Sequence, residues 1–401
     1  LAFLDPALSY DAGNVYLTMT RNGTSFRNVG LTWNQVAAGG GVENLGLGNP
    51  VHNAVLSLSA DQARGAFDQL SGEIHASART ALIEDSRFLR NAVNDRLRAA
   101  SGSTGAAGDS AVTYENGKPV AAPVTTDRFA FWGQGFGSWG RTDGDGTAAK
   151  LERKTGGFFI GADAPVFGNW RLGAVAGYSR SDFDVKGRQS SGESDNYHLG
   201  LYGGANWGAL TLRTGAAYTW HDISTNRTVS FPGFGDRLKG DYGAGTTQLF
   251  GELAYGFALG ATRIEPFANL AYVRLHTDGF RETGGAAALT GAAATTDATF
   301  TTLGLRASTR LTLGGASLTA KGTLGWRHAF GDVTPLASLR FAGGGNGFGI
   351  GGVPIARNAA LIETGLDYAL SPNATLGVSY GGQFGSGIAD HAAKANFNVR
   401  F

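Results

Sequence analysis

The sequence of 401 residues contains no cysteine and a single methionine. The lack of cysteine excludes a disulfide framework and any metal site built from thiolates. It suits a protein that crosses an oxidising periplasm unfolded. The formal net charge is +1, so overall charge gives no reason to expect nucleic-acid binding. No uncharged apolar run reaches the roughly 18 residues that a membrane-spanning helix needs, so a hydropathy scan alone would class the chain as soluble.

Glycine is abundant instead, with 64 residues, roughly double its share of about 7% in average proteins. These glycines show no triplet period, and aromatic residues are frequent, so neither collagen nor a disordered low-complexity chain fits. Sheets with many tight turns, and strands packed closely around another element, use glycine in this way. The length alone allows two or three domains.

The chain divides into three zones, of which the first, Leu1 to Gln62, is mixed. Residues Ala12–Asn22 alternate between apolar and polar side chains and predict a short strand. Residues Asn34–Leu58 carry Gly-interrupted apolar patterns with helix potential. Because neither an initiator methionine nor a signal peptide precedes it, we expect Leu1 to be a boundary rather than a native start.

The second zone predicts a helix. Ser59 is a good N-cap for a helical run, and a break is expected at Ser71-Gly72. From Glu73 to Ala100 the chain has no Gly or Pro, and apolar residues recur at steps of three and four, opposite an Arg-rich face. A linker of flexible composition, Ser101–Asp109, follows. The apolar positions are Ile74, Ala78, Ala81, Leu82, Phe88, Leu89, Val93 and Leu97.

The third zone, from about Arg128 to Phe401, predicts twelve strands with a period of two residues. Short connections alternate with long ones, which are expected near Arg141–Leu151, Asp184–Glu193, Asn226–Asp241, Asp278–Asp297 and Gly331–Ile355. Short turns on one side and long loops on the other are typical of outer-membrane β-barrels.

A large soluble β-sandwich or β-propeller is the main alternative fold. Three observations favour the membrane barrel. The alternation extends to the strand ends with few charges on the apolar face, and the chain stops at an aromatic residue inside a strand, where a soluble sheet would expose an open edge. Trp and Tyr also cluster at strand ends, as in the aromatic girdles of membrane barrels, at Trp132, Trp139, Trp170, Trp207, Trp220 and Tyr368.

The sequence resembles the C-terminal translocator region of monomeric bacterial autotransporters, which belong to type V secretion. Residues Ala66–Arg98 are similar to the linker that precedes such barrels, and the stretches Gly352–Asn358, Glu363–Asp367 and Tyr380–Phe384 resemble their last strands. The resemblance covers about Leu8 to Phe401. The linker also resembles those of barrels found behind subtilisin-like protease passengers. The apolar residues at the C-terminal end resemble the signal read by the barrel-assembly machinery, at Phe397, Val399 and Phe401.

The resemblance implies an all-β membrane protein. Its fold would be a 12-stranded antiparallel outer-membrane β-barrel with an N-terminal α-helix through the lumen, preceded by a small mixed α/β passenger remnant. The expected division is residues 1–62 for the passenger end, 63–110 for the linker helix and flexible linker, and 111–401 for the barrel. A helix of roughly 20 residues would span about 30 Å, enough for the height of a barrel.

The implied function is an outer-membrane translocator that anchors and exports an N-terminal passenger to the cell surface, with the lumen plugged by the linker helix. The expected partners are outer-membrane lipid and lipopolysaccharide, the barrel-assembly machinery, periplasmic chaperones and the protein's own passenger, with no nucleic acid and a monomeric state. The alternative location for the helix is the surface of a soluble domain. Inside a polar lumen, the arginines of its polar face could pair with inward acids and amides. This face consists of Arg79, Glu84, Arg87, Arg90 and Arg96.

Two other functions remain open: a porin-like channel, and a barrel that anchors a surface enzyme such as a protease or an esterase. Sequence motifs give little support for chemistry within this chain. Gly108-Asp109-Ser110 resembles an esterase serine motif but lies in a flexible linker, and Gly347–Gly352 matches a dinucleotide fingerprint without a following helix. The seven histidines lack metal-ligand spacing and no Ser/His/Asp triad can be assembled. We therefore expect no catalytic site, metal or cofactor.

Self-cleavage in the linker helix is a further hypothesis, because some autotransporters release the passenger by cyclisation of paired asparagines. Here Asn91 and Asn94 are separated, and Asn94-Asp95 is the nearest analogue. Asparagine is also an ordinary residue of helix surfaces. The departure from an adjacent pair weakens the case for self-cleavage.

Overall fold

The computed structural model describes most of the chain. The Gly108-Asp109-Ser110 motif and Phe401 lie outside the described residues, as does most of the predicted flexible linker. The described ranges are 1–101, 111–115, 118–122, 129–313, 316–331, 333–371 and 374–400.

The N-terminal zone forms a β-hairpin and three helices. Strands β1 (Leu4–Tyr10) and β2 (Val15–Arg21) pair with each other and with no barrel strand in the described structure. A short 3₁₀ turn then leads into α1 (Trp33–Glu43), α2 (Pro50–Leu56) and α3 (Ala60–Leu70). Side chains satisfy free N–H groups at each helix start, since Thr32, Asn49 and Ser59 each accept a hydrogen bond from the first turn.

The predicted linker helix is present as two helices, α4 (Glu73–Asp85) and α5 (Arg87–Ser101). The bend falls at Ser86, whose hydroxyl donates to the carbonyl of Ile83 at 2.7 Å. A serine hydroxyl bonded to the preceding turn commonly bends a helix. Nearly every side chain from Glu73 to Ala100 is buried, polar ones included, which is expected of a helix enclosed on all sides.

Twelve antiparallel strands form a closed barrel, because each pairs with its neighbour and the last, β21 (Ile388–Arg400), pairs back onto the first, β5 (Ala130–Thr142). The fold predicted from the sequence is confirmed. The barrel strands are β5, β6, β7, β8, β9, β10, β12, β15, β16, β19, β20 and β21. The strands in chain order are β3 (Ala111–Glu115), β4 (Lys118–Ala122), β5 (Ala130–Thr142), β6 (Leu151–Phe167), β7 (Trp170–Val185), β8 (Ser190–Trp207), β9 (Leu210–Phe231), β10 (Phe234–Tyr255), β11 (Phe257–Leu259), β12 (Thr262–Thr277), β13 (Phe280–Arg281), β14 (Leu289–Gly291), β15 (Ala294–Leu313), β16 (Ala316–Phe330), β17 (Leu336–Phe341), β18 (Phe348–Gly351), β19 (Asn358–Ser371), β20 (Ala374–Gly385) and β21 (Ile388–Arg400).

The burial pattern of the barrel is the reverse of that in a soluble protein. Large apolar side chains such as Leu201, Leu249 and Leu324 point outward and are more than half exposed. Charged side chains such as Arg213 and Asp390 point inward and are fully buried. An outer apolar band around a polar interior is the pattern of a transmembrane β-barrel. In the described part of the chain, the helices are all too short or too polar to cross a bilayer.

Three details of the barrel differ from the sequence prediction. Trp132, assigned to the outer girdle, points into the lumen, where its indole N–H donates to the hydroxyl of Tyr202 at 2.7 Å. The indole lies against Gly161, which leaves the space that a Cβ would fill. The predicted loop Asn226–Asp241 is mostly strand, because β9 and β10 remain paired up to a tight turn at their tips. The predicted loop Asp184–Glu193 is likewise reduced to residues 186–189 between β7 and β8.

The long connections after β12 and β16 together form a small four-stranded sheet, in the order β13-β14-β17-β18. Apolar side chains of this sheet share one core with α1, α2 and α3, and the tips of β9 and β10 join the same core. We call residues 1–70 together with this sheet the surface cap. It sits on the long-loop side of the barrel and positions the start of α4. Large members of its core include Phe3, Phe26, Phe67, Leu70, Leu289, Leu339 and Phe341.

Candidate functional site in the barrel lumen

The N-terminal end of α4 is held by buried polar contacts at the surface cap. Glu73 forms an ion pair with Arg188 at 2.8 Å and accepts a hydrogen bond from the main-chain N–H of Ala149 at 2.7 Å. Two residues further, the ring Nε2 of His75 lies 2.8 Å from a carboxylate oxygen of Glu282. These contacts tie the helix to three separate connections of the barrel.

The middle of α4 binds the connection that follows β16. The Thr80 hydroxyl donates to the carbonyl of Val353 at 2.5 Å, and the Ser77 hydroxyl accepts from the N–H of Val353 at 3.0 Å. Arg79 donates to the main-chain carbonyl of Leu336. Arg79, one of the five residues predicted for the polar face, is thus bound to the main chain of the connection between β16 and β19.

Charged pairs join the helices to the barrel wall around the bend. Glu84 forms a two-pronged ion pair with Arg327 of β16, with distances of 2.7 and 2.8 Å. Arg87 lies 2.8 Å from Asp390 of β21, and Arg90 donates to the side-chain oxygen of Gln248 at 3.1 Å. Charge-assisted pairs of this geometry are stronger and more directional than neutral hydrogen bonds.

A second group of ion pairs holds the C-terminal half of α5. Arg96 binds both carboxylate oxygens of Asp163, at 2.6 and 2.7 Å, and the Tyr202 hydroxyl donates to the same carboxylate at 2.7 Å. Asp95 pairs with Lys394 of β21 at 3.0 Å. The helices are therefore bound to the wall along their length.

One charged group was missed by the sequence reasoning and involves only the wall. Arg213 and Arg306 share the carboxylates of Glu252 and Glu265, with distances between 2.7 and 3.1 Å. The alternation marks each of these residues as inward-facing, and that was the available signal. Their partnership depends on the lateral register of four strands, which alternation does not reveal.

The residues considered for self-cleavage lie beside a cavity of about 120 Å³ between α5 and the wall. Asn91 is exposed to this space, and Asn94 is 5% exposed. Asp95 is engaged with Lys394 and Arg98. The two asparagines are three residues apart on one face of α5, and both line this cavity. Within the described residues, no group of three or more His, Asp or Glu side chains is placed to hold a metal ion.

The residues of the predicted assembly signal lie at the strand that closes the barrel. Phe397 points outward with 46% of its surface exposed, and it pairs with Gly133 of β5. Val399 pairs with Phe131 in the same ladder. Phe401 lies beyond the described residues.

The model of the autotransporter beta-domain family matches residues 131–381. The chain belongs to the autotransporter family. An extracellular serine protease of Serratia marcescens is 35% identical to this autotransporter chain over 441 residues, which cover 100% of the chain and 41% of the relative. A second extracellular serine protease of the same organism is 37% identical over 355 residues, covering 88% of the chain and 32% of the relative. The autotransporter chain thus spans about two fifths of the first relative.

Two solved structures share the fold of this autotransporter. The translocator domain of the autotransporter NalP from Neisseria meningitidis has a TM-score of 0.61 at 16% identity, covering 82% of this chain and 99% of that one. The beta domain of the Bordetella autotransporter Brka has a TM-score of 0.51 at 22% identity, covering 69% and 100%. The barrel of this autotransporter lies in the bacterial outer membrane, where it anchors and exports an N-terminal passenger. The β-domain performs transport and anchoring, and the lumen in this structure is occupied by α4 and α5.

Proposed function

We propose that this translocator exports a serine protease passenger and that α4 and α5 seal the lumen once the passenger has passed. The seal is supported by the ion pairs that helix residues from Glu73 to Arg96 form with the connections and with the barrel wall. The proposal for the passenger is supported by the name and the full-chain similarity of the Serratia relative.

Residues 1–62 are proposed to be the end of the passenger, residues 63–110 the linker and residues 111–401 the barrel. The β1–β2 hairpin supports the first part of this division. One of its faces carries Leu8, Tyr10, Val15, Leu17 and Met19, all of them exposed. An apolar face of this kind is suited to a preceding passenger segment that packs on it.

The proposed partners follow from the surface of the barrel. The outward apolar band would contact outer-membrane lipid, with lipopolysaccharide in the outer leaflet. The barrel-assembly machinery would recognise Phe397, Val399 and Phe401, and periplasmic chaperones would carry the unfolded chain. We propose a monomer without enzymatic chemistry of its own and without nucleic acid, metal or cofactor.

Planar-bilayer conductance tests the proposed seal. The purified chain should show small, infrequent currents, because α4 and α5 occupy the lumen. Deletion of residues 73–100 should produce a large and stable conductance. A large conductance in the unmodified chain would instead support the porin-like alternative.

The passenger proposal is tested on the full-length protein displayed on cells. A fluorophosphonate probe that labels active serine hydrolases should modify the part that precedes this chain, and the barrel fragment alone should remain unlabelled. Labelling of the barrel fragment would favour an enzyme site on the barrel loops.

A further inference from the structure

The wall groups that bind the lumen helices are mostly paired twice. Without the helix residue, three of these wall groups would still have an oppositely charged neighbour on the barrel. Such a group stays compensated whether the helix is present or absent. The sets, each written as helix residue, shared wall residue and second wall residue, are Arg87–Asp390–Arg153, Arg96–Asp163–Arg171 and Asp95–Lys394–Glu363.

Arg327 is different. It is 3% exposed, and its carboxylate partner, Glu84, belongs to the helix. Its other contacts are the carbonyl of Ala356 at 3.5 Å and the face of the Phe300 ring, whose centroid lies 4.9 Å from the guanidinium carbon. Among the barrel residues that the structure describes, no carboxylate forms an ion pair with Arg327.

Because of this asymmetry, the depth of the helix decides whether Arg327 has a counter-ion. In a water-filled lumen, Arg327 would be hydrated, but the arriving helix displaces that water. A helix that stopped one turn, about 5.4 Å, too high or too low would bury Arg327 without a carboxylate partner, whereas Glu84 would keep Arg87 of its own helix at 3.7 Å. A buried charge without its partner is strongly unfavourable, whereas the doubly paired groups tolerate the loss of one partner.

We propose that Arg327 is a positioning residue that fixes where the lumen helix stops, by requiring Glu84 as its counter-ion. The proposal rests on the translocator function, in which the helix enters the lumen after the passenger. It also assigns Arg327 a role in the open state. With the helix displaced, Arg327 is a wall cation without a wall partner and favours the passage of anions.

The experiment compares two helix variants of the full chain in planar bilayers. Glu84→Gln removes the counter-ion of Arg327, so openings should become at least about tenfold more frequent. Arg96→Gln is the matched control, because it also breaks a two-pronged pair but leaves Asp163 bound to Arg171. Its opening frequency should rise, because Arg96 also holds the helix, but by at least about threefold less than in Glu84→Gln.

A double variant separates the charge effect from general damage. Glu84→Gln combined with Arg327→Gln removes both charges, and replacing both partners of a buried pair is far milder than removing one. Openings should therefore return toward the frequency of the unmodified chain. In a KCl gradient, the reversal potential of the open events should show weaker anion selectivity in the double variant than in Glu84→Gln.

Heat-modifiable migration in gels verifies that each variant is folded. Glu84→Asp, which keeps the charge but shortens its reach, replaces Glu84→Gln if the latter does not fold, and it should give intermediate opening. Equal opening of Arg96→Gln and Glu84→Gln, or an unchanged reversal potential in the double variant, would overturn the role of Arg327. A large conductance in the unmodified chain would contradict the seal itself, so the two failures are distinguishable.

Discussion

At the residue scale, Gly72 has a backbone conformation that the contact between α4 and the surface cap requires. Its φ is +67°, and an added Cβ would lie 2.4 Å from the Leu289 side chain. A left-handed conformation costs a residue with a side chain about 1–2 kcal/mol, before any clash. Gly72→Ala should therefore destabilise the cap by about 2 kcal/mol or more, measured as a lower urea midpoint of the helical circular-dichroism signal.

Gly65 is the matched control for this substitution. It lies inside α3, and an added Cβ would meet no atom within 4 Å. Alanine is favoured over glycine in a helix interior by up to about 1 kcal/mol. Gly65→Ala should leave the urea midpoint unchanged or raise it. A decrease equal to that of Gly72→Ala would show that backbone conformation at Gly72 is not the cause.

His52 predicts how the surface cap responds to acid. Its side chain is 5% exposed and packs against Phe26, with ring centroids 4.9 Å apart. Burial lowers the pKa of His52 below its ordinary value of 6.5. The unfolded cap therefore binds the proton more readily, so the stability contributed by neutral His52 is complete above pH 6.5 and is lost as the pH falls through the folded pKa.

The free energy of unfolding of the cap should fall by at most about 1.4 kcal/mol per pH unit between the unfolded-state and folded-state pKa values of His52. Urea unfolding of the helical signal at pH 7 and pH 5 measures it. In His52→Gln the part of the slope that comes from this residue should disappear. An identical pH dependence in both proteins would exclude His52 as the source.

Alternation is strong enough to assign most barrel side chains to the inner or outer face from the sequence. Residues such as Arg213 and Leu324 lie on the faces that period-two reasoning gives them. Trp132 breaks the rule, since an aromatic side chain predicts the outer girdle, whereas the space over Gly161 and the hydroxyl of Tyr202 hold it inside. Such an exception depends on cross-strand neighbours, which a single strand does not reveal.

At the element scale, the predictability of a segment follows its local periodicity. The run from Glu73 to Ala100 has strong helical spacing, and only the bend at Ser86 was not foreseen. The small strands β13, β14, β17 and β18 are short and have no periodic signal of their own. They are held by the apolar core that they share with α1–α3, which lies far away in the sequence.

The helical state of α5 predicts that the chain remains uncut. Asparagine cyclisation requires the side-chain amide to reach the asparagine's own carbonyl carbon, a backbone arrangement that differs from a continuous helix. Asn91 and Asn94 both lie within α5, which is helical from Arg87 to Ser101. Mass spectrometry of the folded protein over several days should show the intact chain of 41.5 kDa. A product ending at either asparagine would establish self-cleavage.

At the scale of the whole molecule, closure of the barrel gives the chain its place in the membrane. The count of twelve strands and three of the five long connections could be inferred from the sequence, because both are local properties. The other two predicted connections, Asp184–Glu193 and Asn226–Asp241, are largely paired strand. The surface cap could not, because it joins the first 70 residues to connections that lie more than 200 residues later. The cap and the ion pairs of the lumen together make the helices and the barrel one folded unit.

The C-terminal strand predicts two separable effects on assembly. Residues 397–400 pair with residues 130–133 of β5, so deleting 397–401 removes one end of the closing ladder. Backbone groups left unpaired in lipid cost several kcal/mol each. We expect this deletion to abolish both the heat-modifiable folded form after refolding in detergent and the surface display of the passenger in cells.

Phe397→Ser separates ladder closure from recognition by the assembly machinery. The substitution keeps the backbone ladder and changes one outward side chain that is 46% exposed. The variant should refold in detergent, because its pairing with Gly133 uses main-chain groups alone. Its surface display in cells should fall strongly, because the proposed signal requires an apolar side chain there. Normal display of this variant would mean that closure of the ladder, rather than the side chain of Phe397, is what the C-terminal strand contributes.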